Sequence, residues 1–247
     1  MTKILWDMHR WETERALDNL GDYFEMIEGQ FKILREKEHK QISPNPPVPS
    51  EEDEGESDSE WNAEKSAFEQ RYEHDFPLMI RYSFVVQLYI LLETRLKAAC
   101  DEISRRSSLE LKEKEKKPLV SPRESYASLK LELKESDFKG TPIERATTFL
   151  RKVANVPVKE NASWQWLADL QKVRNCIVHT NGQIGISNDG AHLKKLCKRN
   201  IGLSAEGRDL MIEPRYCKKS LEMIKSFFKV IFDSAHFGSA MLFVEEP

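Results

Sequence analysis

The chain is 247 residues long, 40% hydrophobic and 32% charged, with a formal net charge of −3. That length holds one sizeable domain with extensions or two small ones, and ten glycines beside abundant Leu, Glu, Lys and Arg favour helices over a β-sandwich. No apolar run looks long enough to span a bilayer, and the mixed charges between Lys3 and Arg10 argue against a secretory signal, so a cytoplasmic protein with no membrane association is expected.

Residues 5–40 predict one long helix. Leu17, Leu20, Phe24, Ile27, Phe31 and Leu34 recur at steps of three and four and share a face. That face could pack on the body of its own chain or serve as a dimerising arm. Ser43-Pro-Asn-Pro-Pro-Val-Pro-Ser50 and the acidic run 51–60 bring prolines and like charges with almost no apolar residue, and predict a disordered linker. The expected division is an N-terminal helical arm over 1–42, the linker over 43–62 and a helical domain over 63–247. Without the acidic run the body is mildly positive, which permits a nucleic-acid partner without requiring one.

From Ala63 to about Ser104 runs the most apolar helical segment, interrupted at Pro77. Beyond it Val85, Leu88, Tyr89, Leu92, Leu96, Ala99 and Ile103 line one face. Glu93 and Arg95 sit among them, as ion-pair partners or, for Glu93, as a group supporting a site. Residues 107–121 predict a charged loop. Ser121-Pro-Arg-Glu124 opens a short helix in capping-box style, running to about Glu135. Thr141-Pro142 opens another, with Ile143, Ala146, Phe149, Leu150 and Val153 inward.

Asn161 to Thr180 predicts a helix whose apolar face is Trp164, Leu167, Leu170, Val173 and Ile177, stopped by Asn181-Gly182. Gln183 to Ser187 reads as extended, and a small helix follows at 190–199. Ile201–Ser204 and Leu210–Glu213 read as a β-hairpin. Pro214 starts the last helix, with Leu221, Ile224, Phe227, Phe228, Ile231 and Phe232 on its apolar face. Cys100, Cys176, Cys197 and Cys217 form no C-x-x-C pair and read as buried thiols rather than disulfides or zinc ligands. Asn161-Ala-Ser163 matches a glycosylation acceptor but reads more simply as a helix start.

The chemistry concentrates in Arg174-Asn175-Cys-Ile-Val-His179-Thr-Asn181-Gly182. Asn175 and His179, four apart, share a helix face, and the long Arg174 side chain can swing toward them at the helix end. A guanidinium grips a phosphate through a two-pronged fork and stabilises the added charge of a pentacovalent transition state. An imidazole can take the proton of a ribose 2′-hydroxyl or return one to the 5′ leaving oxygen, and an amide can orient either group. No metal or other cofactor is required. The basic residues Lys194, Lys195, Lys198 and Arg199 are weaker candidates for guiding an RNA backbone, a plain solvated helix face being the alternative.

An Arg five residues before a His is by itself a common accident. The wider context, with Trp164-Gln-Trp-Leu-Ala-Asp-Leu before the motif and Gln-Ile-Gly-Ile after it, resembles the HEPN superfamily (higher eukaryotes and prokaryotes nucleotide-binding). Ribonucleases of that family carry an arginine, four to six residues, then a histidine, commonly with a polar residue after the arginine, which Arg174, Asn175 and His179 match. Ser83 to Leu96 is similar to the helix that packs against the motif helix in such domains. The resemblance covers about 78–236 and implies an all-α, HEPN-like helical bundle. It further implies a homodimer with a composite site and a metal-independent endoribonuclease acting as a toxin or antiviral, abortive-infection effector. The hairpin near 201–213 departs from the minimal bundle. The alternative is a catalytically inactive helical interaction or regulatory module of a toxin–antitoxin or defence complex, with the 17–34 stripe as its working surface.

Overall fold

The computed structural model describes residues 2–41, 56–114, 134–158 and 162–234. Among the described residues the chain is mostly helical with a small two-stranded antiparallel sheet, an all-α architecture. In order come α1 (Thr2–Gln41), α2 (Glu56–Glu69), α3 (Phe76–Lys114), α4 (Pro142–Val153), α5 (Ala162–Thr180), α6 (Gly190–Cys197), β1 (Leu203–Glu206), β2 (Asp209–Ile212) and α7 (Pro214–Ser234).

Several boundaries differ from the sequence reading. The helix preceding Pro77 begins at Glu56, so residues 56–62 belong to α2 rather than to the linker. Residues 43–55 lie outside the described residues. Between α2 and α3 the chain makes a π-helical turn, Gln70–Asp75, in which the Phe76 N–H donates to the Arg71 carbonyl. Pro77 explains the location: it has no N–H to continue an α ladder, and the wider turn keeps the chain helical across the break. α3 then continues to Lys114, so 107–114 is helix where a loop was expected. Its Leu, Glu and Lys residues are good helix formers, and their propensity outweighs the loop signal of the charge run. The helix expected from Ser121 falls mostly outside the described residues, and Glu135–Asp137 forms a 3₁₀ turn. The segment Trp61–Arg105 also corrects the hydropathy reading: it contains a window of mean hydropathy 1.3, long and apolar enough by length and composition to cross a membrane. Val85, Leu88, Tyr89, Leu92 and Leu96 of that segment are buried in the protein's own core.

The chain divides into two compact units, one of Met1–Asp18, Leu88–Gln171 and Lys219–Pro247, the other of Asn19–Gln87 and Lys172–Lys218. In the first, Leu92, Leu96, Phe149, Leu150, Leu167, Leu170, Phe227 and Phe228 are buried. Trp6 meets Phe232 edge-on with ring centroids 5.0 Å apart, and Arg10 reaches Asp233 at 2.8 Å, so the start of α1 packs on the end of α7. α4 begins at Thr141-Pro142 as the sequence foretells, and Thr141 and Glu144 add a reciprocal capping box. Cys100 and Cys176, Cys217 in the second unit, are buried and Cys197 is half-buried; all four are free thiols.

The second unit holds the rest of the 17–34 stripe against its own chain. Phe24 is buried with its ring centroid 4.3 Å from that of Phe84, and Phe31 stacks on Tyr72 and meets Phe76 edge-on. Leu34, the last residue of the stripe, is exposed. β1 and β2 pair Leu203 with Ile212 and Ala205 with Leu210, and Leu203, Leu210 and Ile212 are buried. The hairpin turns at Gly207, whose φ of 59° lies in the left-handed region that glycine adopts without strain.

Candidate functional site at the end of α5

The last turns of α5 carry the three candidate catalytic residues, all within the second unit. Arg174 is half-buried, and its Nη1 donates to Asn175 Oδ1 at 3.1 Å. The amide therefore holds the guanidinium as well as sharing a face with position 179. His179 is exposed on the final turn and makes no hydrogen bond among the described residues. Its neighbours Cys176 and Ile177 are buried, which turns that face of the helix inward and leaves Val178 and His179 to solvent.

The helix ends abruptly, and the ending aims this turn. Asn181 and Gly182 both take positive φ, 50° and 82°. The Gly182 N–H donates back to the Cys176 carbonyl at 3.1 Å, while Thr180 Oγ1 lies 2.7 Å from that same carbonyl. Asparagine and glycine are the residues that reach such a conformation most cheaply. The chain then runs along the free edge of β2. Leu210 N–H donates to the Gly182 carbonyl at 2.9 Å, Ile184 N–H to the Arg208 carbonyl at 2.8 Å, and Gln183 bridges Asp209. The extended reading of this stretch holds at Gln183; residues Ile184–Ile186 close into a 3₁₀ turn instead. The hairpin thus serves as a backstop for the end of α5.

α3 holds the hairpin in turn. Arg81 Nη1 donates to the Ile212 carbonyl at 3.2 Å while its guanidinium grips both carboxylate oxygens of Glu28 on α1. The Tyr82 hydroxyl is buried and donates to the Leu210 carbonyl at 2.5 Å. Burial, with smaller contributions from Cys176 and Asp209, pushes the Tyr82 phenol well above the ordinary phenol range, so it remains a donor. Any Cβ at Gly182 would collide with the Tyr82 hydroxyl. Neither contact was legible in the sequence: Gly182 reads there as a helix stop alone, and nothing in the spacing points to Tyr82.

Lys194, Lys195, Lys198 and Arg199 are all exposed, on the last turns of α6 and just beyond, in the same unit as His179. Glu93 belongs to the other unit; it is half-buried and has no partner among the described residues, whereas Arg95 pairs with Glu12 at 3.0 Å. Among the described residues no group of three or more His, Cys, Asp or Glu is arranged to hold a metal ion. No family model, curated protein or solved structure matches the chain.

Proposed function

We propose that the protein is a HEPN-type, metal-independent endoribonuclease. The observation that carries this reading is the exposed imidazole of His179 one helical turn beyond Asn175, whose amide oxygen accepts from Arg174. In the proposed reaction His179 takes the proton of a ribose 2′-hydroxyl, the 2′-oxygen attacks the adjacent phosphorus, and the 5′-oxygen leaves after receiving a proton. Arg174 neutralises the extra charge of the pentacovalent phosphorus, and Asn175 fixes the guanidinium. The products are a 2′,3′-cyclic phosphate and a 5′-hydroxyl, so DNA, lacking the 2′-hydroxyl, is not a substrate.

The resemblance to HEPN ribonucleases further supports a homodimer with two Arg/His sets in one composite site, and a role as a toxin or antiviral effector in the cytoplasm. Lys194, Lys195, Lys198 and Arg199 would guide the RNA backbone. The inactive-module alternative is weakened by the 17–34 stripe, because Leu17 and Phe24 are buried in the chain's own core. Incubation with single-stranded RNA in excess chelator tests the reading. Fragments ending in 2′,3′-cyclic phosphate are expected, and cleavage that requires added divalent ions, or none under any condition, contradicts it.

A further inference from the structure

We infer that Tyr82 is a positioning residue for the candidate site, setting the direction of the His179 turn through Gly182 and Leu210. The inference rests on the ribonuclease reading for its catalytic consequence, but its geometry stands on contacts within one compact unit. Leu210 is the point of convergence. Its N–H donates to the Gly182 carbonyl and its own carbonyl accepts from the Tyr82 hydroxyl, so one residue of β2 joins the end of α5 to α3. The phenol also lies directly against the Gly182 Cα, filling the volume that any side chain there would need. Gly182 in turn closes onto Cys176, the residue that lies one turn before Thr180 and immediately after the Arg174–Asn175 pair.

These contacts leave the end of α5 few alternatives. If the hydroxyl is removed, the Leu210 carbonyl loses its buried donor and the edge pairing with Gly182 loosens. If Gly182 gains a side chain, the ring is pushed out of its seat. Either change lets the final turn, with His179 on it, take a distribution of directions while the rest of the fold persists. Small misplacements of a catalytic group cost rate far more than binding, by up to about a hundredfold for roughly an ångström. Tyr82 touches neither substrate nor the reacting atoms in this account; it acts through the backbone.

The test is Tyr82→Phe in the full chain, which keeps the ring and deletes only the hydroxyl. Three readouts are taken: thermal unfolding, kcat and KM on a mixed-sequence oligoribonucleotide, and the ring resonances of His179 by NMR. Expected are a cooperative transition, a kcat lowered on the order of tenfold with KM nearly unchanged, and shifted or broadened His179 resonances. A wild-type kcat together with wild-type His179 resonances overturns the inference. If the wild-type protein cuts no RNA, the ribonuclease reading falls, and the positioning claim is judged on the His179 resonances alone. They must move in Tyr82→Phe and stay fixed in a control substitution at exposed Tyr23. Should Tyr82→Phe fail to fold, amide exchange in the wild-type protein decides. Protected Leu210 and Gly182 amides are expected, and exchange as fast as in exposed loops would show that the end of α5 is not held against β2, overturning the inference.

Discussion

Burial holds the Tyr82 phenol and the Cys100 and Cys217 thiols in their protonated forms to higher pH than in an unfolded chain. A group whose folded value is raised contributes stability that is complete below its unfolded value and is lost as pH rises beyond it. The chain should therefore be at full strength near neutrality and lose stability between about pH 8 and about pH 11, across the ordinary thiol and phenol ranges. Urea titrations at the two ends of that window check this, and an unchanged midpoint would contradict it. Gly182 offers a second residue-scale prediction. Gly182→Ala must hold alanine at positive φ and displace Tyr82, and should cost about 1–3 kcal/mol or more. Denaturant midpoints measure that cost, and a loss of a few tenths would mean the seat is loose.

Elements were legible where periodicity and caps agreed. α4 is the clearest instance: Thr141 and Pro142 announced its start, and Ile143, Ala146, Phe149 and Leu150 lie buried as their spacing required. Thr141→Ala should remove about 1 kcal/mol by opening the capping box, read as a lowered urea midpoint. α1, α5, α7 and the hairpin pairing were likewise readable from apolar spacing and turn residues. The two boundary failures share one cause: charge density reads as a loop or linker signal, although a charged stretch can equally be the solvated face of a helix. The acidic run suggested a linker up to 62, yet the chain is helical from Glu56. Charge density suggested a loop after 107, yet strong helix formers carry α3 to Lys114. For the candidate site, Arg174, Asn175, His179 and the Asn181-Gly182 stop could be read from the sequence. The seat formed by Tyr82, Gly182 and Leu210 could not, because it joins residues more than a hundred positions apart. Phe24→Ala distinguishes the two roles weighed for the α1 stripe. Packing against Phe84 predicts a loss of about 3–5 kcal/mol, whereas an arm used only for a partner predicts near-wild-type stability.

On the scale of the whole molecule, the proposed ribonuclease has its reacting groups at a helix end, backed by a hairpin and an adjacent helix rather than carried on a free loop. That arrangement suits a reaction in which the protein's task is to place one imidazole and one guanidinium about a phosphate. If the HEPN resemblance extends to assembly, sedimentation should give a particle of about twice the 28.8 kDa chain mass. The measurement that bears most directly on the proposed function is RNA cleavage by His179→Ala set beside the wild-type protein in chelator. His179 is exposed and makes no hydrogen bond among the described residues, so its removal should leave thermal unfolding and assembly unchanged while cleavage falls by about a hundredfold or more. A His179→Ala protein that folds normally and cuts RNA as fast as the wild type would contradict the account.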